Sequence, residues 1–271
     1  MALIIMADSI RLDELTARQF GISHEQAVGL IMSGRVSIGN VPFDKPGEQV
    51  ADGTVLTVRE KARRYASRSG YKLEKALYSF SLDVSGLTVC DIGASNGGFT
   101  DCLLQHGAGH VYSVDVAYGI LAWELRCDQR VTVLERTNAR ALTADMLGET
   151  CDLVTADVSF ISLKKIFPAV YNVLKPNGCC VCLIKPQFEA SPRQVGKNGV
   201  LRNPEDLPPL LLSIADSAAE SGLSLNALTV SPIHGTNGNV EYLARFDREA
   251  IKNREEWNRL IAEAVSEKPD V

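Results

Sequence analysis

The run Leu87-Thr88-Val89-Cys90-Asp91-Ile92-Gly93-Ala94-Ser95-Asn96-Gly97-Gly98-Phe99-Thr100 has the residue types of a nucleotide-type cofactor site. An apolar, β-branched strand delivers Asp91 to its C-terminal edge. Gly93 permits a tight turn through Ala94 and Ser95, and Gly97 and Gly98 remove side chains where a ligand or a strand must approach. From Phe99 onward the chain opens a helix whose unpaired N–H groups point at a ligand. No Gly-Lys-Ser/Thr follows, so phosphate gripping of the P-loop kind is excluded, and the spacing misses the dinucleotide pattern G-x-G-x-x-G. About twenty residues on, the strand His110-Val111-Tyr112-Ser113-Val114 ends in Asp115, where an acidic group accepts ribose hydroxyls or else caps the next segment. Asn138 follows the third strand, where an adenine edge would lie, and Tyr118 either stacks on that adenine or packs in the core.

A second set of groups stands at other element ends. Asp157 follows the strand-like run 151–156, and Lys185 follows the apolar run 179–184 and is locked by Pro186. Glu241 begins a late strand, and Lys72 opens a helix in Ser69-Gly70-Tyr71-Lys72-Leu73. Two lysines and two carboxylates facing one crevice form an acid–base set; the bland alternative is a pair of ordinary salt bridges.

Positioning these groups requires an α/β sheet. Strand patterns fall near 87–92, 110–115, 131–134, 151–156, 179–184, 224–230 and 240–246. Helical patterns fall near 71–80, 98–106, 120–126, 161–173, 205–221 and 250–265. The alternation predicts a parallel sheet covered by helices on both faces, with ligands at the carboxyl ends of its strands. The first sixty residues follow a different logic. A helix over Arg11 to Phe20 stops at Gly21, Ser23 and Gln26 form a capping box, Gly34 ends the second helix, and short strands surround the turn Gly39-Asn40. The expected organisation is a small α+β domain over 1–58, a basic linker over 59–69 and an α/β domain over 70–271.

The chain of 271 residues is 45% hydrophobic and 23% charged, which is ordinary for a globular protein. Its net charge of -5 argues against a wholly basic nucleic-acid binder, yet Arg59, Lys61, Arg63, Arg64, Arg68, Lys72 and Lys75 crowd one strip. No apolar run reaches the roughly 20 residues of a membrane span. The opening Met1-Ala2-Leu3-Ile4-Ile5-Met6 lacks a basic n-region and a long h-region and does not read as a signal peptide, and the seven scattered cysteines read as free thiols in a reducing compartment. Cys179-Cys180-Val181-Cys182 points to alternating strand faces, so no metal is expected. These features predict a cytoplasmic protein without a membrane partner.

The loop D-x-G-x-x-x-G-G resembles the first motif of S-adenosylmethionine-dependent methyltransferases, which implies a Rossmann-like fold and that cofactor. Lys72, Asp157, Lys185 and Glu241, in this order, resemble the K-D-K-E tetrad of FtsJ-like ribose 2′-O-methyltransferases. The resemblance implies in-line transfer of a methyl to a ribose hydroxyl, with Lys185 as base, Lys72 as its cationic neighbour, and Asp157 and Glu241 orienting the lysines. Arg11-Leu12-Asp13-Glu14-Leu15, with Ser23, Ala27, Leu30-Ile31 and Gly34-Arg35-Val36, resembles an α-L RNA-binding domain. That likeness implies phosphate contacts by Arg11, Arg18, Arg35 and Lys45, continued by Arg59, Lys61, Arg63, Arg64 and Arg68. Together the halves resemble the TlyA or hemolysin A family. This implies cytidine 2′-O-methylation of 23S ribosomal RNA, with 16S ribosomal RNA as a further target of longer members, and ribosomal subunits as partners. The helix-like segment Glu255 to Val265 leans toward that longer type. Competing expectations are a non-catalytic ribosome-assembly factor and a membrane-active hemolysin; no amphipathic segment supports the latter.

Overall fold

The computed structural model describes residues 9–39, 41–58, 64–248 and 253–267. The chain divides into two compact units, one of Met1–Arg64 with Ala122–Gln129, the other of Tyr65–Leu121 with Arg130–Val271.

Among its described residues the first unit has the helices Leu12–Phe20 and His24–Met32, the short helix Trp123–Arg126, and two small antiparallel sheets. Its first helix ends on Gly21 at φ 63, and Ser23 and Gln26 form the capping box that the sequence calls for. Leu12, Leu15, Ile31, Val36 and Leu56 close a core of their own.

The second unit contains a seven-stranded sheet. Its strands are β1 (Thr88–Ile92), β2 (His110–Val114), β3 (Val131–Leu134), β4 (Cys151–Ala156), β5 (Leu174–Ile184), β6 (Ser224–Val230) and β7 (Tyr242–Asp247). The main helices are α1 (Ser69–Ser79), α2 (Gly98–Gln105), α3 (Phe167–Val173), α4 (Leu207–Glu220) and α5 (Arg254–Ser266). The strand order is β6-β7-β5-β4-β1-β2-β3. Strand order reverses between β1 and β4, so a crevice opens at the ends of those two strands.

The all-parallel expectation is corrected at one strand. β7 runs antiparallel to both β5 and β6. Residues 231–241 join β6 to β7 without the helix that a parallel crossover needs, so the chain can only fold back. Three further boundaries shift. β5 begins at Leu174 with an irregularity before Cys179, the helical pattern at 161–173 starts as a 3-10 turn before α3, and the pattern at 120–126 yields only the short helix Trp123–Arg126.

The period-two alternation of the strands divides the core. Cys90, Ile92, Val154, Ala156, Cys180 and Cys182 pack with apolar residues of α3, α4 and α5. The intervening positions include Asp91, Ser113 and Thr155, all buried polar groups on the opposite face. Among the described residues no helix is long and apolar enough to cross a membrane.

Candidate active site

A cavity of about 430 Å³ lies at the crevice, lined by Ile92, Gly93 and Ser95 after β1, Val114, Asp115 and Val116 after β2, Ile120, residues 137–140 after β3, and Asp157 to Ile161 after β4. Gly93 is required by geometry. Its φ is +81, and a Cβ there would stand 2.5 Å from the Asp157 carbonyl oxygen, so the two strand ends approach only because a side chain is missing. Asp115 accepts from the Ser95 N–H at 2.8 Å through one oxygen and from the Ala117 N–H at 2.8 Å through the other. It thereby fixes the glycine loop and still has lone pairs for hydroxyls. Asn138 lines the same cavity and accepts from the Arg140 N–H at 3.1 Å.

Other loop residues stand elsewhere. Asp91 lies beneath the cavity, fully buried, where Thr100 donates to it at 2.7 Å and Thr155 at 2.9 Å. Ser113 meets Thr100 at 2.8 Å, so one buried chain of hydroxyls and a carboxylate crosses β2, α2, β1 and β4. Burial pushes Asp91 up to about 6, opposed by the donated hydroxyls and assisted by the charge of Asp157. Ala94, Gly97, Gly98 and Phe99 are buried and do not line the cavity. Gly98 instead admits α1: a Cβ there would stand 2.1 Å from Ser69 Oγ and 2.2 Å from Ser67 Oγ. Tyr118 is exposed, with the Arg136 guanidinium 4.4 Å from its ring centre, so it neither packs in the core nor lines the cavity.

The four residues of the acid–base set form two ion pairs at one sheet edge. Lys185 Nζ stands 2.6 Å from Asp157 Oδ1 as an ion contact, and its aligned hydrogen bond is donated to Ser159 Oγ at 2.8 Å. Lys72 on α1 donates to Glu241 Oε2. The register of β5 against β7 pairs Ile184 with Tyr242, so Lys185 and Glu241 follow one step beyond on adjacent strands. Both pairs are largely shielded from water, with Lys72 and Lys185 side chains each 12% exposed.

Three neighbours carry no sequence signal for a site. Gly235 lets the Glu241 carboxylate pass, since a Cβ there would stand 2.2 Å from its Oε1. Ser159 receives the Lys185 hydrogen bond. Phe160 projects at 91% exposure from a backbone with φ 61, with its ring 5.0 Å from that of Phe188.

The RNA candidates are mixed. Arg11 pairs with Asp13 at 2.5 Å, Arg18 pairs with Asp52, and Arg35 stands 3.9 Å from Glu124. Lys45, Arg64 and Arg68 are exposed. Arg59, Lys61 and Arg63 lie outside the described residues.

A sheet switched at its centre, a glycine turn under an open cavity and an acidic second strand end define a Rossmann-like methyltransferase fold. The FtsJ-like methyltransferase profile matches residues 65–248. The protein is 42% identical to the 16S/23S rRNA (cytidine-2′-O)-methyltransferase TlyA of Mycobacterium tuberculosis, over 97% of this chain and 100% of that one. It is 38% identical to hemolysin A of Brachyspira hyodysenteriae, over 88% of this chain and 99% of the relative. A solved structure, "Putative hemolysin from Streptococcus thermophilus", superposes with a TM-score of 0.70 at 40% identity and covers 95% of this chain and 96% of its own. The chain therefore belongs to the FtsJ-like methyltransferases and, within them, to the TlyA family.

Proposed function

We propose that the protein transfers a methyl group from S-adenosylmethionine to the 2′-hydroxyl of cytidine in ribosomal RNA, on 23S and also on 16S RNA. The observation that carries this reading is the pair of shielded ion pairs, Lys185–Asp157 and Lys72–Glu241, at the sheet edge that also borders the cavity.

The cavity suits the cofactor by its chemistry. Its volume falls within the range of small-ligand sites, roughly 300–1,000 Å³. Apolar Ile92, Val114, Val116, Ile120, Val158 and Ile161 surround Asp115 and Asn138, which offer acceptors to ribose hydroxyls and an amide to an adenine edge. When bound, S-adenosylmethionine supplies an electrophilic methyl on a sulfonium. Lys185 acts as the neutral amine: its Nζ lone pair takes the proton of the ribose hydroxyl, and the ammonium that results is the form paired with Asp157, while Ser159 fixes that nitrogen. Lys72, held by Glu241, orients the acceptor ribose. Phe160 offers a bare aromatic face on which an unstacked base can rest. The N-terminal domain, residues 1–58, serves as the RNA-binding module, and the basic residues within 59–69 add cations for phosphates.

Mass mapping of ribosomal RNA tests the reading. Cells lacking the protein are expected to lose a 2′-O-methyl cytidine in each subunit, restored by the wild-type chain and not by Lys185→Ala. Unchanged maps would refute the assigned reaction.

A further inference from the structure

The loop after β4 carries Asp157, Ser159 and Phe160, and something must hold it in shape. Phe160 has a bulky side chain at φ 61, a sparsely populated conformation that persists only where its surroundings over-determine it. Its own ring does not supply the restraint, being 91% exposed. The restraint comes from Glu189, three residues past the turn of Lys185-Pro186. The Ser162 hydroxyl donates to Glu189 Oε2 at 2.5 Å, and the Leu163 N–H donates to Oε1 at 2.7 Å. Ser162 also accepts from the Lys164 N–H at 3.2 Å and caps the 3-10 turn that follows. The segment 185–189 thus returns to the β4 loop at three points: Lys185 to Asp157 and Ser159, Phe188 to Phe160, and Glu189 to Ser162 and Leu163.

We infer that Glu189 is a positioning residue for the methyl acceptor. By tying both ends of its carboxylate to the residues just after Phe160, it sets where the aromatic face stands relative to Lys185, the group that takes the hydroxyl proton. Burial of this carboxyl pushes it above its ordinary range, opposed by the Ser162 and Leu163 hydrogen bonds and by the charge of Lys164. The inference rests on the methyltransferase reading above and assigns the RNA-side precision of the site to a residue that touches neither reactant.

The test compares Glu189→Ala, Glu189→Gln, Phe160→Ala and the double variant Glu189→Ala/Phe160→Ala in the full chain. S-adenosylmethionine affinity is measured by calorimetry, and kcat and KM are measured with ribosomal subunits. Glu189→Ala is expected to lower kcat/KM for the subunit at least ~10-fold with a clearly smaller rise in cofactor Kd, because the cavity walls before Asp157 are untouched and only the Val158 to Ile161 side is released. Glu189→Gln is expected to recover most of the loss, since the amide keeps an acceptor for the Leu163 N–H and a donor toward Ser162 Oγ. The double variant is expected to fall no lower than Phe160→Ala alone, because both changes remove one function. Should Glu189→Ala not fold, Ser162→Ala removes the Oε2 contact together with the Lys164 N–H cap, keeps the Leu163 N–H bond to Oε1, and carries the same expectation. Wild-type kcat/KM in the folded variant, an equal loss of cofactor affinity, or multiplying losses in the double variant would overturn the inference. A wild-type chain that transfers no methyl would overturn the underlying reading instead.

Discussion

Replacing Gly235 by alanine separates the geometry of the Lys72–Glu241 pair from the stability of the fold. Gly235 does not occupy the left-handed region, so its backbone accepts an alanine, and its N–H bond to the Asn239 carbonyl at 2.8 Å is unaffected. The added Cβ would stand 2.2 Å from Glu241 Oε1, 2.7 Å from Cδ and 3.2 Å from Cγ. The carboxylate must therefore swing away, and Lys72 must follow or lose its partner. Overpacking of a tight site costs about 1–3 kcal/mol. Here the clash falls on the far end of a side chain rather than on backbone, so the lower end of that range, about 1 kcal/mol, applies. In a chain of this size that corresponds to a fall of roughly 2–4 °C in Tm. The catalytic cost is larger, because a displacement of about 1 Å in a positioning group costs ~10²-fold.

The assay is steady-state methyl transfer to ribosomal subunits beside a thermal melt and cofactor calorimetry. Gly235→Ala is expected to lose ~10²-fold in kcat, with cofactor Kd unchanged. Adding Glu241→Asp shortens the side chain by one methylene, makes room for the Cβ and is expected to recover part of the rate. A Gly235→Ala enzyme with wild-type kcat would refute the role assigned to this pair. So would a loss of rate fully matched by unfolding at the assay temperature.

Lys185→Ala is expected to lower transfer by ~10²–10⁴-fold, the usual contribution of a general base, while calorimetry returns wild-type cofactor affinity. Asp115→Ala removes the acceptor for ribose and orphans the Ser95 and Ala117 N–H groups, so cofactor Kd is expected to rise at least ~10-fold with far less effect on subunit binding. Asp91 gives a pH test. Its pKa rises from 3.8 to about 6 on folding, so the native state holds the proton more tightly between those values, and stability falls as pH rises from 4 to 6 and then levels. The shift corresponds to about 3 kcal/mol. Urea unfolding at pH 4 and pH 7 is therefore expected to favour Asp91→Asn over wild type progressively at the higher pH, and parallel curves would contradict it.

What local pattern encodes was legible. The apolar runs at 88–92 and 151–156, the capping box at Ser23 and Gln26, and the stop at Gly21 each depend on neighbours within a few residues, and each is found where the sequence puts it. The pairing of Lys72 with Glu241 spans 169 positions in the chain, and residue order in a tetrad motif was the only available trace of it. Asp91 shows where reasoning by pattern stops. An acidic residue at a strand end reads as a ligand, but its place in the strand's alternation turns it to the face that carries Thr100, Ser113 and Thr155. Gly235 and Glu189 were illegible because nothing in their surrounding sequence marks them. Their meaning lies in what another segment brings within contact distance. The antiparallel strand β7 could have been suspected from the short 231–241 connection, which is too brief for a helical crossover.

Ion pairs alone do not mark a site, and this chain supplies its own controls. Lys175 stands 2.8 Å from Asp152, with side chains 40% and 29% exposed, and Arg254 stands 2.7 Å from Asp216, with 61% and 36% exposed. Water screens such pairs, so they contribute little and cost little to form. Lys72 and Glu241 are 12% and 3% exposed, and Lys185 and Asp157 are 12% and 17% exposed. Drying charges to this degree is expensive, and apolar residues of equal volume would often stabilise the fold as well or better. Stability therefore does not explain why two shielded pairs lie on adjacent strands beside a cavity. The proposed function does: in it, a lysine at these strand ends must be held in one place and kept from bulk solvent to act on a single hydroxyl. On that argument, replacing Lys72 and Glu241 together by apolar residues is expected to leave a folded, cofactor-binding protein that transfers no methyl.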